Sequence, residues 1–307
     1  MAISPRVVKR RIKSVRSTGK IMKAMELVAA SKMRKAVQFA LTSRPYANLI
    51  RELTDELRAA LIGSTHPLLR GHATKQKTIR TLAVVIASDR GLCGGYNSQL
   101  LRKALEFLRG RSSNELRVVT MGIRAERGMR RTATPIVASF PSIANAIGFT
   151  AAEPLLRFVL DEYTAERVDR VFVIYTDFKS ALSQIPTVAQ LLPIIPEAEL
   201  PLPASDQLVD EEDTTEKLVF GESDMLFEPS APAVFNKLLP RLVETRLYQT
   251  LLESAASEHS ARMMAMRTAG EAARDMVKDL TLVLNQARQS AITREISEIS
   301  AGKAAIE

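Results

Sequence analysis

From Pro240 to Ser300 the chain contains no proline after the first residue and a single glycine, Gly270. Such a stretch predicts one helix, and at about 1.5 Å per residue it would run roughly 90 Å. A globular chain of this size has a radius of gyration of only about 20 Å, so the helix is too long to be an ordinary core element. An apolar line follows it at coiled-coil spacing through Leu252, Ala256, Met263, Met266, Gly270, Ala273, Val277, Leu280, Leu284, Ala287 and Ala291. A second helix has to cover that line.

The N-terminal segment supplies the candidate. Ser4 and Pro5 form an N-cap followed by proline at the first helical position, which predicts a helix reaching about Leu61. Apolar residues Val8, Ile12, Val15, Met22, Met25, Ala29, Met33 and Ala40 recur along it at helical spacing. Pro45 is expected to kink or interrupt the helix without ending it, because the periodicity resumes at Ile50, Leu53 and Leu57. Basic residues dominate, and Glu26 is the one acid before Glu52. The acid-free basic start superficially resembles a transit peptide.

Between these helices the pattern changes. The β-branched run TLAVVIA from Thr81, LRVVTMG (residues 116–122), residues 136–140 and RVFVIYT (residues 170–176) read as strands. Residues 100–108 and 151–163 read as helices, and PTVAQLLPI (residues 186–194) as an edge strand. This alternation predicts an α/β, Rossmann-like domain with a mostly parallel sheet. An acidic, proline-containing loop follows. The expected division is residues 1–61, an N-terminal coiled-coil helix; 76–200, the α/β domain; 201–230, the acidic loop; and 231–307, the C-terminal coiled-coil helix. With the inserted domain joining the two helices, they pair antiparallel. The last helix then exceeds the first by about fifteen residues, roughly 20 Å, and exposes Ile292, Ile296 and Ile299. Such a tip calls for a sleeve.

Chemistry is sparse. The turn from Asp89 to Asn97 lies where doubly wound enzymes hold phosphate, but it has neither GxGxxG nor GxxxxGK[ST]. Its glycines read as turn formers, and nucleotide binding at Gly91–Gly95 is the enzyme alternative. Cys93 is the only cysteine, and the three histidines, His66, His72 and His259, fall in no nucleophile or metal motif. His259 lies on the apolar line and reads as a packed polar residue. The net charge of +9 favours an anionic partner. A coiled-coil nucleic-acid-binding protein is therefore a second alternative, weakened by the absence of tryptophan and the low aromatic content.

Four segments are specific as a set. RRIKSVRSTGKIMKAMELVAASKMRKA near the start, SDRGLCGGYNSQL in the centre, ALSQIPTVAQLLP before the acidic loop, and ASEHSARMMAMRTAGEAARDMVKDLTLVLNQARQSAITREISEI at the end resemble the gamma subunit of F-type ATP synthases. The resemblance runs from about Pro5 to Gly302. It implies a central-stalk rotor with no catalytic residue, cofactor or metal of its own. The paired helices would stand inside a hexamer of alternating alpha and beta subunits, and the α/β domain would form the foot beside the epsilon subunit and the membrane ring of c subunits. It also implies no nucleic-acid partner, and a peripheral place on the cytoplasmic face of the bacterial plasma membrane. By position in the motifs, Met25 would meet a beta-subunit lever, and Lys20, Lys23, Lys32, Arg34 and Lys35 would face acidic levers. Arg262, Arg288, Gln289 and Thr293 would contact the hexamer, and Phe227 and Glu228 the ring. Gly19 stands where the family commonly has glutamine. The region from Pro193 to Ser230 is long for a simple bacterial member and lacks the cysteine pair of the light-regulated chloroplast form, so no thiol switch is implied.

Overall fold

The computed structural model describes residues 5–56, 66–70, 79–109, 115–132, 134–145, 147–194, 228 and 230–304. The chain divides into two compact units, one of Met1–Ala29 with Arg262–Glu307 and the other of Ala30–Ala261. Helices α1 (Pro5–Glu56) and α6 (Ala231–Ala304) contribute to both. Both run through an internal proline, Pro45 and Pro240. Expected helix residues 57–61 lie outside the described residues, as does nearly all of the acidic loop.

The unit containing both chain ends is a two-helix seam. Along α1 the covered positions include Val8, Ile12, Val15, Gly19, Met22, Glu26 and Ala29, which alternate by four and three, as a coiled-coil seam requires; Met25 beside them is half-buried as well. A Cβ at Gly19 would sit 3.5 Å from the Ala273 Cβ, and one at Gly270 would sit 3.8 Å from the Met22 Cβ. These two pairs establish the antiparallel sense, and two glycines let the backbones approach. On α6 the half-buried line continues through Ala273, Val277, Leu280, Leu284 and Ala287. Ala291, expected on the seam, is exposed. In the Gly19–Ala273 register the first described residue of α1, Pro5, is level with Ala287.

The second unit is a three-layer α/β/α arrangement. Its sheet contains β1 (Thr81–Ile86), β2 (Leu116–Met121), β3 (Ile136–Phe140), β4 (Arg170–Phe178) and β5 (Gln184–Leu192) in the order β3-β2-β1-β4-β5. All pairings are parallel except the β4–β5 hairpin. The short helix α2 (Pro67–Arg70) leads into the domain, α3 (Tyr96–Leu108) follows β1, α4 (Ile123–Met129) follows β2 and α5 (Phe149–Thr164) follows β3. Alternating side chains serve the two faces. Leu82, Val84, Ile86, Val171 and Val173 pack with α5 and with Leu239, Leu242, Leu247 and Leu251 of α6. On the other face Ala83, Val85, Val118 and Ile174 pack with Leu100, Ala104 and Leu108 of α3 and Met129 of α4. At the opposite end of the strands, Arg80 donates to Asp169 through Nη2 at 2.9 Å and Nε at 3.1 Å, clamping the starts of β1 and β4.

Candidate functional site

In a doubly wound sheet the ligand crevice opens at the carboxyl ends of the strands where the strand order reverses, here between β1 and β4. At that end of the sheet the chain's own side chains satisfy the loops beyond the strands. The Asp89 carboxylate, just beyond β1, accepts from the backbone N–H of Ile123 at 3.1 Å and of Ser142 at 3.3 Å. It therefore caps the start of α4 with an anion already covalently in place. Asn97 Oδ1 accepts from the Ser88 N–H at 3.2 Å and from the Ser88 hydroxyl at 2.9 Å, while its Nδ2 donates to Cys93 Sγ at 3.0 Å. Cys93 is buried, with its sulfur engaged in the turn. Gly94, with a φ of 55°, and Gly95 form the turn that leads into α3.

Helix α6 closes the remainder. Every residue from Gln249 to Ser260 is buried, including Glu253, Glu258 and His259. Within that run, Ser254 Oγ lies 2.8 Å from the Tyr96 hydroxyl, which also reaches the Ser254 carbonyl at 3.2 Å. Ser257 donates to the carbonyl of Thr176 at 3.2 Å and Ser260 to that of Ala181 at 2.7 Å. His259 Nε2 lies 2.7 Å from the Ala144 carbonyl, so that nitrogen carries the proton. Thr176 stands opposite Pro186 in the β4–β5 ladder, and proline has no N–H to offer; the Ser257 hydroxyl supplies that carbonyl with a donor. Burial, followed by the nearby Glu258 carboxylate, pushes the Tyr96 phenol well above its ordinary value. Tyr175 is raised in the same way by burial and then by Glu253 and Asp177. The Tyr96 phenol stays protonated and donates a hydrogen bond. Sequence reading placed His259 as a packed polar residue but missed the roles of Asp89, Tyr96 and the three serines. The available signal was their spacing of three residues on one helix.

The sequence-derived contact residues occupy different surroundings. Lys20 and Lys23 are exposed on α1, and Met25 is half-buried. Lys23 Nζ pairs with Glu26 at 2.9 Å across one turn, so part of its charge is compensated locally. In the other unit Arg34 and Lys35 are exposed and Lys32 half-buried. Arg262 is half-buried on α6. From Arg288 to Ala301 every residue is exposed. Gln289 and Thr293 share a polar face there with Gln286, Ser290, Arg294 and Ser297. Ile292, Ile296 and Ile299 occupy another face, 49%, 59% and 67% exposed. Glu228 is exposed and Phe227 lies outside the described residues.

The ATP synthase family model matches residues 4–306. The ATP synthase gamma chain of Desulforamulus reducens is 39% identical over 305 residues, covering 99% of each chain. That of Pelotomaculum thermopropionicum is 41% identical over 304 residues with the same coverage. This chain belongs to the ATP synthase gamma-chain family. Among solved structures, the central stalk of the Tetrahymena thermophila mitochondrial ATP synthase matches with a TM-score of 0.56 and 26% identity, over 81% of this chain and 99% of that one. A chain of the Euglena gracilis mitochondrial enzyme shares the fold with a TM-score of 0.64, over 98% of this chain and 94% of that one. The gamma chain is a non-catalytic subunit and the central-stalk rotor of the complex. The reading of its basic charge as a nucleic-acid surface is not supported. Among the described residues no helix is long and apolar enough to cross a membrane, in line with a peripheral subunit.

Proposed function

We propose that this gamma chain couples rotation to ATP chemistry through three sets of residues. Met25 with Lys20, Lys23, Lys32, Arg34 and Lys35 meets acidic levers of the beta subunits. Arg262, Arg288, Gln289 and Thr293 contact the alpha–beta hexamer, and Phe227 and Glu228 the membrane ring. The observation that carries this reading is the last part of α6, fully exposed from Arg288 to Ala301 yet bearing Ile292, Ile296 and Ile299 on one face. An apolar face with that exposure is suited to an enclosing sleeve. Its polar face, with Gln289 and Thr293, offers directional contacts beside it.

The chain itself needs no nucleotide. Its contribution is asymmetry, since a shaft that touches chemically identical beta subunits differently biases their conformations. Moving a site from mostly open to mostly closed takes differential contacts worth about 5.5 kcal/mol. The basic face of α1 supplies the charge for those contacts and also speeds correct assembly. We place the complex on the cytoplasmic face of a bacterial plasma membrane, a reading supported by the full-length likeness to the Desulforamulus and Pelotomaculum gamma chains. The test is co-purification with alpha and beta subunits, followed by ATPase and rotation assays with and without this chain. Stable incorporation and rotation that depend on the chain are expected. Salt-dependent DNA affinity with no affinity for alpha and beta subunits would refute the proposal.

A further inference from the structure

A rotor built from a helix and a foot domain must stop the helix from turning about its own axis inside the domain. Apolar packing is non-directional and resists such slippage poorly. Hydrogen bonds to carbonyls on a rigid sheet resist it directly, because they weaken steeply once stretched or bent. We propose that Ser254, Ser257 and Ser260, with His259, form a torsional joint that locks α6 to the carboxyl edge of the sheet. The proposal rests on the rotor reading and names the residues through which the foot grips the shaft.

The geometry supports it from several directions. Ser254 is bound to Tyr96 at the start of α3, Ser257 to Thr176 near the end of β4, Ser260 to Ala181 in the β4–β5 turn and His259 to Ala144 beyond β3. These anchors follow three different strands of one sheet. At 100° per residue, the three serines fan over about 120° of the helix circumference and His259 projects from a further direction. Rotation either way therefore lengthens some of the bonds. With side-chain atoms about 5 Å from the axis, a turn of 10° displaces them by about 0.9 Å, enough to carry a 2.8 Å bond past the hydrogen-bonding range. All four residues are at most 2% exposed, so water cannot readily replace a lost partner. Gln184 Nε2, at 3.4 Å from Ser260 Oγ and 2.9 Å from the Ala181 carbonyl, ties the last serine to the start of β5 as well.

The experiment is a single-molecule measurement of torsional stiffness in the complex of this chain with its alpha, beta and ring subunits, read from the angular fluctuations of a probe on the ring. Replacing all three serines by alanine removes three hydroxyls but keeps the Tyr96 bond to the Ser254 carbonyl, so stiffness across the foot should fall about two- to fourfold if each spoke contributes equally. Leu251→Ala provides the comparison. Leu251 is buried one turn earlier in the apolar core, so its loss weakens packing without removing a spoke, and stiffness should remain within about 1.5-fold of wild type. Restoring Ser257 and Ser260 in the triple variant should recover most of the loss. Unchanged stiffness in the triple variant, or an equal fall in Leu251→Ala, overturns the joint. A wild-type chain that supports no rotation overturns the rotor reading beneath it.

Discussion

Gly122, which links β2 to α4, has a backbone conformation and surroundings that exclude any side chain. Its φ of 91° with ψ of 141° is a region that L-residues rarely adopt, costing about 1–3 kcal/mol when forced. An added Cβ would stand 2.1 Å from the Ala87 carbonyl oxygen and 2.8 Å from its carbon. Both are backbone atoms, so the clash is relieved only by moving the end of β1 away from the end of β2. That movement strains the Ala87 N–H bond to Met121 at 2.9 Å and the Gly122 N–H bond to Phe140 at 2.8 Å, each worth about 1 kcal/mol. Gly122→Ala should therefore destabilise the chain by about 3–5 kcal/mol, a large part of a typical total of about 5–15 kcal/mol. Urea unfolding followed by far-ultraviolet circular dichroism measures this. Gly148→Ala is the control, since it has nothing within 4 Å and an extended φ of 177°; its effect should stay within about 0.5 kcal/mol. If Gly122→Ala falls in that same narrow range, the steric reasoning fails.

The opposite sign is expected at Gly19, where a Cβ makes an ordinary 3.5 Å contact with Ala273; Gly19→Ala should stabilise the two-helix unit by about 0.5–1 kcal/mol in thermal unfolding. At His66, burial lowers the imidazole pKa against the raising effect of Asn236. The unfolded chain therefore binds the proton first, and stability is present above the ordinary value of about 6.5 and falls as the pH drops through it. His66→Gln should flatten that slope in urea titrations between about pH 7 and 5. Met25→Lys adds a cation at a half-buried position of α1 and should lower proton pumping per ATP while the complex still assembles. Unchanged pumping at equal hydrolysis rates would contradict the assigned contact.

Strands β1, β2 and β4 were legible because buried parallel strands are written as continuous β-branched runs, and residues 81–86, 116–121 and 170–178 read that way. Helix α4 was not, because IRAERGM is short, contains Gly128 and starts without a side-chain cap of its own. Its cap is Asp89, remote in sequence and adjacent only after the strands align. The seam was legible from the spacing of Gly270 and Ala273, whereas the exposure of Ala291 was not.

Of the site, the exposed isoleucines of α6 could be read directly, whereas the buried run from Gln249 to Ser260 could not. Glu253, Ser254, Ser257, Glu258 and Ser260 look like a solvated face by composition, and amphipathicity assigns them outward. The serines are buried against the end of a sheet, where backbone carbonyls need donors. A purely apolar helix at that place would leave the carbonyls of Thr176, Ala181 and Ala144 without these donors, at about 1–3 kcal/mol for each one desolvated. The same polarity that conceals this segment in a hydropathy pattern gives the helix a fixed rotational setting, which a smooth apolar stripe could not provide.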